Sequence, residues 1–278
     1  MDSRANASFF LPWKAKIKFF FFTLLTAYCL LPTAALPQNS QPPTVVTGKY
    51  KVMIIPFEPK MYMSQIDHKI NAETKFTQKQ IKENFRKGIN EELAHTLKKN
   101  FEVVDLMKDT VKYGKDIFSI YKSLTYSFDK IPDQNNYKAP VSEKDKKNNN
   151  VKNGQLIVET DPEARFMNAK IKNPNLVPGL YAKYKANIFL FVNQLDVLST
   201  TVGTNDVGNV SERILTLHYT VYTINAKEIN SGTCSLKFPG DVNTPSKIVS
   251  SYISKLAGEI TRRIDLALAK EKEAEKKK

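Results

Sequence analysis

Hydrophobic residues follow two different patterns in the first part of the chain, and together they predict a strand, a helix and a second strand. The run KVMIIPF at residues 51–57 is apolar up to its proline, as expected for a strand covered on both faces. Thr77 and Gln80 then form a capping box, which predicts a helix start. The apolar positions of this helix recur every four residues: Ile81, Phe85, Ile89, Leu93 and Leu97. Gly88 permits close packing on that side, and FEVVDL at residues 101–106 predicts the next strand.

The middle of the chain loses this regularity. Residues 115–128 carry apolar side chains at helical spacing and predict a second helix, through Ile117, Ile120, Tyr121, Leu124 and Phe128. Residues 129–154 are polar and rich in Asn and Lys, so they predict a mobile loop. QLIVET at 155–160 and RFMNAKI at 165–171 are interpreted as a short hairpin or a cover segment. We therefore treat residues 107–180 as an insertion.

The second half predicts three antiparallel strands and a long helix. Residues 188–192 are continuously apolar and predict a second central strand, whereas residues 213–224 alternate strictly. One face of the alternating strand is expected in the core and carries Leu215, Leu217, Tyr219 and Val221. The other face is expected in water and carries Thr216, His218, Thr220 and Tyr222. Residues 229–238 complete the meander.

The last helix is predicted to start at Thr244 and Pro245, and its buried stripe consists of Ile248, Tyr252, Leu256, Ile260, Ile264 and Ala267. The charged tail at residues 269–278 is expected to fray. The predicted fold class is thus α/β (α+β), with a mixed sheet of about five strands, two main packing helices and the order β-α-β-(insertion)-β-β-β-α. Residues 50–268 form one domain in this prediction.

The N-terminus predicts export. Four basic residues and one acidic residue precede the apolar block FFFFTLLTAYCLL at residues 19–31, and small residues follow it. The block is too short for a bilayer, which needs about 20 residues, so a signal peptide over residues 1–35 with cleavage near Ala35 is expected. An uncleaved anchor is the alternative; lipidation of Cys29 is disfavoured because Tyr28 precedes it. Residues 36–49 are interpreted as a linker.

Charge and cysteine content narrow the functional classes. The formal net charge is +14, and loss of the predicted leader, with four basic residues and one acidic, leaves about +11. Lysines and acidic residues alternate in the charged stretches, which is typical of solvated surface, and export excludes nucleic acid as a partner. Cys234 alone remains after cleavage, so an intramolecular disulfide is excluded and a small core residue is expected.

No catalytic, cofactor-binding or metal-binding motif is recognisable. The chain has no HExxH, CxxC, G-x-S-x-G, G-x-G-x-x-G or Walker pattern. His95 is predicted on the solvated side of its helix and His218 on the polar side of its strand. A hydrolase would require His68, Glu58 and Asp67 to meet in a cleft.

The segment after the first strand is the candidate binding site. Pro56 and Pro59 end the strand, and about twenty residues then lead to the first helix. Two interpretations remain open: this segment covers an end of the core, or it forms a partner-binding patch, since Met and Tyr are frequent at interfaces. The candidate partner-binding residues are Glu58, Met61, Tyr62, Met63 and His68.

Several of these segments, taken in order, resemble a known group. VMIIPF, FEVVD, ANIFLFVNQLDV and TLHYTVYTINAKEINSGTC resemble the small α/β domain of the TolB N-terminal domain, of the curli-secretion lipoprotein CsgG and of the penicillin-binding-protein activator LpoB. The resemblance covers roughly residues 50–106 and 180–265. Asn187 stands where this group usually has an acidic residue. MIIPFEPKMYMSQID and FLFVNQLDV look like exported, uncharacterised envelope proteins of Gram-negative bacteria.

The resemblance implies an envelope protein that contacts other proteins. We expect a non-enzymatic interaction or assembly module in the periplasm or at the periphery of the outer membrane, with an unidentified envelope protein as its partner. Peripheral membrane association is compatible with this location. The alternatives are a periplasmic protein that binds a ligand or an anionic glycan, and the hydrolase described above.

Overall fold

A computed structural model describes residues 49–132, 151–152, 155–156, 165–201 and 211–277. The predicted signal peptide, nearly all of the predicted linker and most of the predicted loop at 129–154 lie outside the described residues. The described residues all belong to one unit, Pro43–Lys278.

The strands and helices are as follows. The strands are β1 (Lys51–Ile55), β2 (Tyr62–Ser64), β3 (Glu102–Asp105), β4 (Leu124–Lys130), β5 (Val151–Lys152), β6 (Gln155–Leu156), β7 (Arg165–Ile171), β8 (Ile188–Thr201), β9 (Ser211–Thr223) and β10 (Glu228–Pro239). The helices are α1 (Asp67–Thr74), α2 (Gln78–Leu97), α3 (Thr110–Lys122), α4 (Leu176–Tyr184), α5 (Pro245–Ile248) and α6 (Ser254–Lys276). A 3-10 turn, Pro59–Met61, precedes β2, and a π-helical segment, Val249–Ile253, joins α5 to α6.

The main sheet has six strands in the order β10-β9-β8-β1-β3, with β2 paired to β8 as well. β1 runs parallel to β3 and β8, whereas β9 is antiparallel to both of its neighbours. The long strand β8 pairs first with β1 and then, past a register shift at Asn193, with β2. The predicted mixed α/β fold is therefore confirmed, and the sheet gains one strand because the segment after β1 returns to it.

One face of the sheet, the helical face, is covered by α1, α2 and α6. The predicted α2 stripe is buried there together with Leu215, Leu217, Tyr219 and Val221 of β9. The capping box at Thr77 and Gln80 is present. A Cβ atom on Gly88 would lie 2.6 Å from a methyl of Val249, so the predicted close approach at this glycine is real. The helical face is an apolar core.

The opposite face, the hairpin face, is covered by α3, α4 and the antiparallel pair β4–β7. Its apolar half packs side chains of β1 and β8 against the helices, and includes Met53, Ile55, Ile117, Ile120, Leu180, Phe189 and Phe191. The described parts of residues 107–180, which were predicted as an insertion, thus supply the second layer of the fold.

The polar half of the hairpin face overturns one prediction. Thr216, His218, Thr220 and Tyr222 were expected in water, and all four are buried. β7 lies over this face: one of its edges pairs with β4, and backbone groups of Met167 and Ala169 bond to side chains of β9. The backbone N–H of Met167 donates to His218 Nδ1 at 2.9 Å, and Tyr222 donates from its hydroxyl to the Ala169 carbonyl at 2.9 Å.

Asn193, at the register shift of β8, completes this attachment. Its side-chain amide donates to the Met167 carbonyl at 2.8 Å and to the Thr220 hydroxyl at 2.7 Å. Thr220 in turn donates to Asn168 at 2.6 Å. Side-chain hydrogen bonds therefore hold the β4–β7 hairpin on the sheet, and they satisfy backbone groups that would otherwise be buried without partners.

Two boundaries in the middle segment were predicted wrongly. The second helix was expected over residues 115–128 but ends at Lys122, and Leu124–Lys130 is a strand because it pairs along its whole length with Arg165–Ile171. RFMNAKI therefore pairs with β4, whereas the short pair β5–β6 joins residues on either side of a gap in the described chain. The last helix continues through the predicted charged tail as far as Lys276.

Candidate functional site at the end of β1

The exit of β1 is fixed by two side chains that the sequence did not single out. Arg86 of α2 donates from Nε to the Phe57 carbonyl at 3.0 Å and from Nη2 to the hydroxyl of Tyr121 at 3.0 Å. Tyr121 of α3 donates to the Pro56 carbonyl at 2.9 Å. Burial raises the pKa of Tyr121 to about 12, so it remains a hydrogen-bond donor at neutral pH. A helix from each side of the sheet thus holds the point where the chain leaves β1.

The following segment was predicted as a connection of about twenty residues, and that prediction is wrong. The N–H of Met61 donates to the Glu58 carbonyl at 2.7 Å and closes the 3-10 turn. β2 then pairs with β8, and α1 follows directly. Glu58 forms a surface ion pair with Lys60 at 3.0 Å, and Met61 is half-buried. The segment is ordered structure along its whole length.

Tyr62 belongs to the core and is not an exposed contact residue. It is 8% exposed and lies between the rings of Phe57 and Phe85, at centroid distances of 6.4 and 5.8 Å. Its hydroxyl donates to Asp67 at 2.6 Å. Burial and this hydrogen bond raise the pKa of Tyr62 well above its usual value. For Tyr62, the interpretation as a cover for the end of the core is the correct one.

Met63 points to the other face of β2 and is exposed. It is 54% exposed and lies opposite Asp196 in the register of β2 and β8. Leu198, two residues further along β8 and on the same face, is 38% exposed. We call Met63, Asp196 and Leu198 the Met63 patch.

Hydrogen bonds hold the backbone around the Met63 patch. The N–H of Gln65 donates to the Val197 carbonyl at 2.9 Å, and the Gln65 side chain accepts from the N–H of Ser199 at 2.9 Å. Ser64 accepts from the N–H of Ile66 through its hydroxyl at 3.2 Å. Two apolar side chains are therefore presented to water from a fixed backbone.

The residues that a hydrolase would need are not assembled. His68 is exposed on α1, and the Asp67 carboxylate accepts the hydrogen bond from Tyr62. Across residues 49–132, 165–201 and 211–277, no hydrogen bond or ion pair joins Glu58, Asp67 and His68, and no group of three or more His, Cys, Asp or Glu side chains is placed to hold a metal ion.

The two remaining histidines and Cys234 lie in different surroundings. His218 accepts the Met167 N–H at Nδ1, and its Nε2 lies 3.0 Å from Asp196 Oδ2, so both ring nitrogens are engaged. His95 is exposed on α2, as predicted. Cys234 is buried, as predicted, and burial raises its thiol pKa to about 12, so it is protonated and a poor nucleophile near neutral pH.

Comparisons with known proteins leave the family open. No protein-family model and no curated protein matches the chain. Two solved structures align over most of it: a lipoprotein of Neisseria meningitidis, 10% identical over 77% of this chain and 99% of the other, with a TM-score of 0.34, and a hypothetical protein of Chlamydia trachomatis, 10% identical over 78% and 96%, with a TM-score of 0.35. These scores are too low to support an argument about fold or function. Within the described part of the chain, no helix is long and apolar enough to cross a membrane.

Proposed function

We propose that this chain is a non-enzymatic, exported protein of the cell envelope that works as an interaction or assembly module, and that the Met63 patch is its contact with a protein partner. The observation that carries this proposal is the pair of exposed apolar side chains on a hydrogen-bonded backbone. Exposed apolar groups on a rigid support cost little conformational entropy when a partner covers them.

Of the neighbouring residues Tyr62 and Met63, only Met63 belongs to the patch. Tyr62 is packed in the core on the helical face, so a partner has no access to its ring. Met63 lies on the opposite face of the same strand and is exposed. Asp196, opposite Met63 and two residues before Leu198, adds a carboxylate to this surface, and it is already oriented by His218 and by Gln194, which donates to it at 2.7 Å. A partner with an apolar contact and a hydrogen-bond donor fits this surface.

The export and envelope parts of the proposal are supported by the predicted signal peptide and by the resemblance to envelope α/β domains. The non-enzymatic part is supported by the engaged ring nitrogens of His218 and by the protonated thiol of Cys234.

The test is capture of proteins from solubilised envelopes by the tagged full chain. We expect Met63→Ser with Leu198→Ser to abolish capture of a partner and to leave the melting temperature nearly unchanged, since both side chains are exposed. Leu266→Ser is the matched control, because Leu266 is an exposed apolar residue on α6. If the double variant and the control capture the same proteins, the Met63 patch is not the contact surface.

A further inference from the structure

The outer side of α3 is an exposed stripe of apolar and basic side chains. Val111 and Phe118 are 94% and 60% exposed, which is unusual for apolar residues of an amphipathic helix that is packed on a sheet. Lys115 and Lys122 lie on the same side at helical spacing, and Lys122 Nζ lies 4.3 Å from the centroid of the Phe118 ring. These four residues form what we call the α3 stripe.

The stripe lies in a basic region that contains few acidic groups. Residues 108–122 and 172–185, which include α3 and α4, contain seven lysines and two aspartates, a formal charge of +5. Asp109 caps α3 by accepting the N–H of Lys112 at 2.9 Å, and Asp116 pairs with Lys183 of α4 at 2.7 Å. By contrast, the three long helical segments of the helical face, α1, α2 and α6, carry eleven basic and ten acidic residues. The segments around α3 and α4 are therefore net basic, whereas the helices of the helical face are nearly neutral.

We propose that the α3 stripe docks the protein on an anionic membrane surface. Lysines near such a surface are attracted by about 1 kcal/mol each. Val111 and Phe118 favour a lipid surface over a soluble polyanion as the ligand, because exposed apolar side chains gain free energy by entering the boundary between headgroups and acyl chains. The proposal does not rest on the Met63 patch.

The inner side of α3 keeps the helix in position for this role. Ile117 and Ile120 are buried in the apolar half of the hairpin face, and Tyr184 of α4 donates a hydrogen bond to Asp116. Val111 and Phe118 are seven residues apart, so their Cα atoms are about 10 Å apart along the axis. A helix held in this way can lie flat on a membrane with both side chains inserted and the lysines at headgroup level.

The experiment is flotation of the full chain with vesicles of phosphatidylcholine alone and with phosphatidylglycerol added. Residues 1–48 are the same in all variants, so differences in binding between variants report on the α3 stripe alone. We expect binding to require phosphatidylglycerol and to fall with salt. Lys115→Gln with Lys122→Gln should weaken it about 25-fold, since 1 kcal/mol per lysine is about fivefold. Val111→Ser with Phe118→Ser should weaken it at least about tenfold.

The matched control is Lys79→Gln with Lys98→Gln, which removes the same charge from exposed positions on or next to α2. This pair should bind nearly as well as the unchanged chain. Equal loss from both lysine pairs would show that only net charge matters, and would overturn the proposal. Lack of binding to anionic vesicles would do the same. Full binding by the Val111/Phe118 variant would show that the contact is electrostatic only, without insertion of apolar side chains, and would also overturn it.

Discussion

The two faces of the main sheet are built by different means. The helical face buries apolar side chains from α1, α2 and α6, and Gly88 of α2 packs closely against Val249. The hairpin face buries apolar groups in one half only; in the other, Asn193 and His218 bind the backbone of β7. Packing stabilises the first face and directional hydrogen bonds position the second. A strand face that carries Thr and His side chains can therefore be buried when a hairpin packed on it supplies hydrogen-bond partners.

The residue pair in β2 gives the sharpest test of this difference. We predict that Tyr62→Ala destabilises the protein by about 3–4 kcal/mol, because it removes a ring packed between Phe57 and Phe85. Tyr62→Phe should cost only about 1 kcal/mol, since it deletes one hydrogen bond. Urea unfolding measures both changes, with Met63→Ala as a control that stays within about 0.5 kcal/mol. Equal costs at positions 62 and 63 would mean that the faces are assigned wrongly.

Removing the link between β8 and β7 should loosen the hairpin selectively. Asn193→Ala leaves the Met167 carbonyl without its side-chain donor and should cost about 2 kcal/mol. Amide hydrogen exchange should accelerate most in Arg165–Ile171 and Leu124–Lys130, and little in α2. Asn84→Ala, at an exposed position of α2, is the control. Uniform acceleration in all elements would show that the hairpin is not a separable layer.

The helix contact on the helical face predicts opposite signs for two glycine substitutions. Gly88→Ala should destabilise by about 1–2 kcal/mol, because the new methyl would overlap Val249. Gly258→Ala should stabilise by about 0.5–1 kcal/mol, since nothing lies within 4 Å of its new methyl and alanine is the better helix former. Thermal unfolding compares them. A stabilising Gly88→Ala would contradict the tight packing of α2 on the π-helical segment.

The smallest predicted effect is on the free energy of unfolding at acid pH, through Glu259 of α6. Hydrogen bonds from Arg262 and Arg263 hold the pKa of Glu259 at about 2, below its ordinary value of 4.5. Because the folded-state pKa is the lower one, this contribution is present above pH 4.5 and is lost as pH falls towards 2. Glu259 is partly exposed, so we expect less than about 1 kcal/mol.

Glu259→Gln should therefore lose less stability than the unchanged chain between pH 5 and pH 2, as urea titrations at each pH would measure. Glu273→Gln, at an exposed position near the end of the same helix, is the control and should keep the full pH dependence. An identical pH profile for both variants would refute this role of Glu259.

The helical face was predictable from the sequence because its signals are periodic. The apolar residues from Ile81 to Leu97 recur every four residues, and those from Leu215 to Val221 alternate with polar ones. Both sets are buried in the same apolar core. The hairpin face was not predictable in the same way. Leu124 and Phe128 fit a helix as well as a strand, and only pairing with a segment about forty residues later selected the strand. Polarity likewise could not show that His218 and Tyr222 bond to the backbone of β7.

The candidate site was predicted only in part, for a related reason. Sequence reasoning placed Glu58, Met61, Tyr62, Met63 and His68 in one segment, but it could not know that the segment pairs with β8 and separates Tyr62 from Met63. Leu198 and Asp196 were missed because they come from a distant strand. Arg86 and Tyr121 were missed because they bond to backbone carbonyls. Every residue has a backbone carbonyl, so the sequence does not show which one is an acceptor.

The most direct test of the interaction account is site-specific photo-crosslinking in intact cells. A photoreactive amino acid replaces Met63 in one strain and Leu266 in another, and crosslinked products are identified by mass spectrometry. The account predicts one reproducible adduct with a cell-envelope protein from position 63 that is absent from position 266. An exported chain with no adduct from position 63, or with the same adducts from both positions, would contradict it.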